Sequence, residues 1–182
     1  MPRLPKLLVA LAAFSIPSVA LADLKVGDIA PAFTTKASLA GKEFDFNLDA
    51  ALKKGPVVLY FFPAAFTEGC TIEAHEFAEA TDDFVRQGAT LIGVTAGNID
   101  RVQEFSVSEC RNKFAVAADQ GAKIASRYRA KMFGPIGWSN RTSYVITPDH
   151  RVAYVYSALA PDAHVANTLA VVKRWKSTAH SG

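Results

Sequence analysis

"PVVLYFF" (Pro56–Phe62) runs directly into "PAAFTEGC" (Pro63–Cys70). The first stretch is apolar throughout and rich in β-branched and aromatic residues, the composition of a strand buried on both faces. The second holds a proline, a threonine and a glycine ahead of its cysteine, which reads as the turn from a strand into a helix. From about Thr71 to Gln87 the apolar positions then follow helical spacing. Ala74, Phe77, Thr81 and Phe84 share one face, and Gly88 ends the run. A buried strand feeding a helix is the unit from which layered α/β domains are built.

The same alternation extends in both directions. Upstream, "EFDFNL" (Glu43–Leu48) alternates as a half-buried strand would, and "LDAALKKG" reads as a short helix ending at Gly55. Downstream, "ATLIGVTA" (Ala89–Ala96) is a second buried strand. "DRVQEFSVSEC" follows as a helix capped by Asp100, with Val102 and Phe105 facing inward. "FAVAAD" is a short strand and "AKIASRY" a short helix. "RTSYVITPDHRVAYVYSAL" is two strands joined at Thr147–His150, a hairpin by its turn residues. The last helix, about Asp162 to Lys176, is expected to bury Val165, Leu169, Val172 and Trp175. Strands alternating with helices and closing in a hairpin predict a three-layer α/β domain with a mixed sheet.

The first 22 residues stand apart from this pattern. Arg3 and Lys6 form a basic start, Leu7–Ala20 an apolar run broken by Pro17, and Ala20-Leu21-Ala22 an A-x-A cleavage site. The run is too short and interrupted for a spanning helix, which needs about 20 apolar residues. The segment therefore reads as a cleaved signal peptide, leaving one domain over 23–182, exported to the periplasm or secreted, with no membrane anchor. The removed segment holds two of the 20 basic residues and none of the 17 acids, so the formal charge falls from +3 to +1. No basic block or interleaved basic-aromatic pattern remains, which gives nucleic-acid binding no support.

In open α/β sheets ligands gather beyond the carboxyl ends of strands, and Cys70 lies just past one. A thiolate in the first turn of a helix is favoured by unpaired N–H groups and the macrodipole. Yet an ordinary thiol, with a pKa of about 8.5, is only about 3% ionised at neutral pH. A helix end supplies about 0.3–1 kcal/mol, too little to ionise it fully. A reactive cysteine here needs a cation as well.

Pro63-x-x-x-Thr67-x-x-Cys70, with Glu73 three residues on, resembles the peroxiredoxin signature P-x-x-x-T-x-x-C. "RTSYVI", beginning at Arg141, is similar to that family's second site segment, and "VGDIAPAF" (Val26–Phe33) to its opening segment. The subgroup resembled is the bacterioferritin-comigratory, or Q, type. The resemblance implies a thioredoxin-like fold, no cofactor or metal, and reduction of hydrogen peroxide or organic hydroperoxides by Cys70. It makes Arg141 the missing cation, Thr67 a hydrogen-bonding partner of the peroxide, and Pro63 a shield over the thiolate. Backbone N–H groups near Gly69 and Cys70 would hold the developing oxyanion. Phe66, Phe133 and Trp138 are candidates for an apolar rim.

Many of that subgroup carry a second cysteine five residues after the first, where this chain has His75. The resemblance instead makes Cys110 the candidate resolving cysteine, a buried free thiol being its alternative. It also implies a thioredoxin-like dithiol protein as reductant and a monomer or homodimer. A disulfide tolerates a Cα separation of only about 4.4–6.8 Å. Cysteines on two packed helices exceed that, so the sulfurs should be unbonded when reduced, and pairing should require local unfolding around Cys70 and Ser106–Asn112. Two other functions on related folds fit less well. A disulfide exchanger would need C-x-x-C, where Glu73 stands, and a copper-delivery protein C-x-x-x-C, where Ala74 stands.

Overall fold

The computed structural model describes residues 24–135 and 137–179. The expected signal peptide and its cleavage site lie outside those residues. No helix among the described residues is long and apolar enough to cross a membrane.

Seven strands form one mixed sheet. In chain order they are β1 (Thr34–Leu39), β2 (Lys42–Asn47), β3 (Val57–Ala64), β4 (Thr90–Gly97), β5 (Ala115–Ala118), β6 (Thr142–Ile146) and β7 (Val152–Ser157). Across the sheet the order is β2-β1-β5-β4-β3-β6-β7, with β3, β4 and β5 parallel and the remaining pairs antiparallel. The apolar run read from the sequence is thus a central strand. Its side chains alternate between two separate cores. Val57, Leu59 and Phe61 join α1 (Leu48–Leu52) and α4 (Lys123–Arg127) on one face. Val58, Tyr60 and Phe62 join α2 (Glu68–Arg86), α3 (Val102–Ser108) and α5 (His164–Ala179) on the other. A strand covered on both faces must be apolar at every position, which is why β3 carries no alternation.

The structure departs from the sequence reading at several elements. β1, "TTKASL", is too polar for its pattern to be seen, yet it pairs with β2 along its whole length. β2 itself is mostly exposed, with only Phe46 buried, because it is an edge strand. Asp100 does not cap a helix. It lies in a 3-10 turn over Ile99–Arg101 that starts from Asn98 in a left-handed conformation (φ 51°), and α3 begins at Val102. The short α4 is instead capped from a distance, its Ile124 and Ala125 N–H groups donating to the buried Asp119 carboxylate at 3.0 and 2.8 Å. In α5 the buried stripe runs through His164, Thr168, Val171 and Val172, leaving Val165, Leu169 and Trp175 half-buried. Two polar residues can replace apolar ones there because both are bonded, Thr168 Oγ1 donating to His164 O at 2.7 Å.

Aromatic packing locks α2 onto the sheet. The Tyr60 ring stacks on Phe77 at 4.3 Å between centroids and on Phe62 at 5.4 Å. Gly93, directly opposite Tyr60 in the β3–β4 ladder, makes room for it: a Cβ at position 93 would stand 2.7 Å from the ring. Gly93→Ala should overpack this rigid set and cost about 1–3 kcal/mol. Urea unfolding should show a lower midpoint at unchanged slope. An unaltered midpoint would show that the ring yields freely.

Candidate active site

Cys70 occupies the third position of α2, which starts three residues earlier than the apolar periodicity suggested. Gly69 and Glu68 break that periodicity without breaking the helix. The turn that delivers Cys70 from β3 is pinned at several points. Ala65 N–H donates to Gly97 O at 3.2 Å, and Asn98 Nδ2 to Ala65 O at 2.7 Å. Phe66 adopts a left-handed conformation (φ 63°), costly for a bulky side chain. Its ring is held edge-on to Phe105 at 5.2 Å, with the Arg101 guanidinium 3.7 Å above its centre.

Thr67 precedes the helix, but its hydroxyl does not cap it. Thr67 Oγ1 donates back to Ala64 O at 3.1 Å, leaving its oxygen lone pairs unused. Pro63 is half-buried inside the end of β3, and its carbonyl accepts from Thr95 Oγ1 at 3.2 Å. The Cys70 N–H is already engaged with Thr67 O at 3.0 Å, contrary to the expectation that it would be open to an oxyanion. The amides of Glu68 and Gly69 have no backbone acceptor among the described residues.

The cation that the helix end required comes from across the sheet. Arg141 immediately precedes β6, the strand beside β3, and its Nη2 donates to Cys70 Sγ at 3.5 Å. Its Nη1 donates to Glu73 Oε2 and its Nε to Leu159 O at 2.7 Å, so all three nitrogens are directed. Arg141 is 5% exposed, Cys70 1% and Glu73 0%. The guanidinium keeps its charge despite burial, as arginine does throughout the physiological range, and the acidic groups beside it raise its pKa further. Gly69 permits this approach: a Cβ there would lie 3.0 Å from Arg141 Nη2.

Glu73 is the residue whose role the sequence left open. It sits on the inward face of α2, one helical turn from both Cys70 and Phe77, where a carboxyl must find a partner. His164 and Ser143 also belong to this buried group. Ser143 Oγ lies 2.8 Å from His164 Nδ1, and His164 Nε2 lies 3.0 Å from Ala158 O. Neither residue stood out in the sequence, although a histidine on the buried stripe of α5 was the available signal.

Among the three aromatic residues expected at a rim, Phe66 packs into the apolar cluster that holds Cys70. The Trp138 indole nitrogen stands 2.9 Å from where a Cβ on Gly97 would be, at the end of β4. Phe133 is fully exposed and belongs to neither core. His75 is tied to Glu109 at 2.8 Å on the partly exposed side of α2.

Cys110 is also a free, fully buried thiol, placed just past the end of α3, and burial pushes its pKa well up. The chain turns there through Arg111 and Asn112, both in left-handed conformations (φ 50° and 57°). Three ion pairs tie this turn to one stripe of α2: Glu109 with His75, Arg111 with Glu79 at 3.0 Å, and Lys113 with Asp82 at 3.2 Å.

Residues 26–155 match the AhpC/TSA family, and the chain belongs to that family. A Mycobacterium tuberculosis protein bearing the name peroxiredoxin is 31% identical over 134 residues, 72% of this chain and 86% of its own. Chloroplastic peroxiredoxin Q of Triticum aestivum is 29% identical over 150 residues, 81% of this chain and 66% of its own. The crystal structure of the peroxidoxin BcpB from Mycobacterium tuberculosis superposes with a TM-score of 0.73 at 30% identity, covering 83% of this chain and 97% of that one.

The clearance at Gly69 can be tested directly. Gly69→Ala should push the guanidinium off Cys70 while leaving the helix intact. The displaced charge-assisted hydrogen bond should cost about 1.5 kcal/mol or more, roughly tenfold in alkylation rate at neutral pH. An unchanged rate would show that Arg141 does not depend on that gap.

Proposed function

We propose that this chain is a thiol peroxidase of the peroxiredoxin Q type, in which Cys70 is the thiol that reacts with peroxide. The observation that carries the reading is the Arg141 guanidinium 3.5 Å from a buried cysteine sulfur in the first turn of α2. A cation and a helix N-terminus together favour the thiolate, the nucleophilic form. The thiolate attacks the terminal oxygen of HO–OR. The S–O bond forms as the O–O bond breaks, giving Cys70 sulfenic acid and RO⁻, which takes a proton from solvent. The Gly69 amide, the Arg141 guanidinium and the Thr67 hydroxyl are the groups available to hold the two peroxide oxygens. Pro63 covers the thiolate from its strand side.

In this reading Cys110 resolves the sulfenic acid. Its thiol displaces water from Cys70–SOH and forms a disulfide, which a thioredoxin-like dithiol protein reopens by thiol exchange. Cys110 must first leave its buried place, so the ion-paired turn from Glu109 to Lys113 is the segment that moves. The amino-terminal pattern adds export to the periplasm or secretion, with the mass of the protein recovered from its host as the test.

Cys70→Ser should abolish peroxide consumption with the fold retained. Turnover at the wild-type rate in that variant would sink the reading. Cys110→Ser should still consume one equivalent of peroxide but stop at a mass gain of one oxygen, whereas wild type loses two hydrogens. Amide hydrogen exchange should accelerate at 106–113 when the wild-type protein is oxidised. Equal protection in both states would exclude movement of that segment.

A further inference from the structure

The buried site holds one cation and two acids. Nη2 and Nη1 of Arg141 serve Cys70 and Glu73 at once, and a thiolate with a carboxylate would leave a net negative charge in a dry pocket. The hydrogen-bond directions around Glu73 decide which acid stays neutral. Ala158 O can only accept, so His164 Nε2 carries the proton, and burial holds the His164 pKa below its usual value. The Nδ1 of a neutral imidazole protonated at Nε2 is bare, and Ser143 Oγ donates to it. Glu73 Oε1 lies 3.7 Å from that same Nδ1 and has no hydrogen-bond partner among the described residues. The Nδ1 lone pair is taken by the Ser143 hydroxyl, so nothing on His164 offers Oε1 a hydrogen that could solvate a negative charge. Oε2 has its donor in Arg141.

We propose that Glu73 is a neutral acid in the reduced enzyme, its proton on the donor-free Oε1, so that the charge of Arg141 is committed to the Cys70 thiolate. Glu73 is then a positioning residue. It orients the guanidinium through Oε2 without competing for its charge, and His164, locked by Ala158 and Ser143 in the tautomer that offers Oε1 no N–H, disfavours the ionised form. The groups facing Glu73 agree with this. Cys70 and Glu76 on α2 and Tyr60 on β3 offer no positive charge, His164 on α5 is neutral, and Arg141 beside β6 is the single cation there among the described residues. Burial raises the Glu73 pKa to about 8 against the downward pull of Arg141. Arg141 stays charged beside a neutral Glu73, because a guanidinium keeps its proton without a carboxylate partner. The neutral form is preferred because Oε1 has no donor.

The proposal rests on Cys70 being the peroxide-reactive thiol, and its test separates the two. In a Cys110→Ser background, where Cys70 is the one remaining cysteine, the infrared spectrum at neutral pH should show a protonated-carboxyl band that Glu73→Gln removes. This readout needs no activity. The Gln amide can mimic the neutral acid, accepting from Arg141 through its oxygen and carrying no charge, so Glu73→Gln should keep the peroxide rate within about twofold and leave its pH profile in place. Glu73→Ala should lose tenfold or more. Folding gives a further sign. A carboxyl whose pKa is higher folded than unfolded makes the native state bind the extra proton, so wild-type stability should fall from pH 5 to 8 relative to Glu73→Gln. No band, a Gln variant faster than wild type in acid, or a Gln variant as slow as Ala would overturn the proposal. Loss of peroxide reactivity in every variant and the parent would instead overturn the assignment of Cys70.

Discussion

A single buried guanidinium organises this molecule. Arg141 reaches from the start of β6 to the first turn of α2, and its three nitrogens bind a sulfur, a carboxyl and the Leu159 carbonyl. A charge out of water is tolerated only when its donors are satisfied, and removing one partner of such a group costs far more than the contact is worth. Much of the surrounding structure serves this demand. Gly69 lacks the Cβ that would obstruct Nη2, Glu73 points inward from a helix face otherwise apolar, and the turn after β7 supplies a carbonyl.

The sheet topology makes that convergence possible. β3 and β6 are antiparallel neighbours, so the end of β3 lies beside the start of β6. The segment after the first and the residue before the second therefore meet. Cys70 and Arg141 are 71 positions apart in the chain yet share one hydrogen bond because of this single pairing. His164 enters from a third element, α5, packed on the same face as α2. The Cys70–Arg141 group is thus assembled where three elements meet around a core of stacked aromatic rings, which gives it little freedom to drift.

The second cysteine is held by a different kind of interaction. Cys110 lies in the same apolar cluster as Cys70, but the turn around it includes two left-handed residues and is fastened to α2 by exposed or half-exposed charge pairs. Such pairs are individually weak and sensitive to salt. The contrast is physical: Cys70 sits in an over-determined place, while Cys110 sits behind individually weak surface fastenings.

What the sequence determined by itself is considerable. The unbroken apolar run Pro56–Phe62 could only be a doubly covered strand. The helical spacing of Ala74, Phe77, Thr81 and Phe84 specified the face that packs on it. Cys70 had to lie where the two meet, and the ionisation of a thiol there demanded a cation from elsewhere. These follow from local chemistry, since periodicity and turn residues act over a few positions. The tertiary structure alone decided the rest. It paired the polar β1 with β2, rotated the buried stripe of α5 onto His164 and Thr168, and exposed Phe133. It also gave Glu73 its partner and left Oε1 without one. A buried polar side chain is stable only through groups that other elements bring to it, and no local pattern in the chain records which groups those will be.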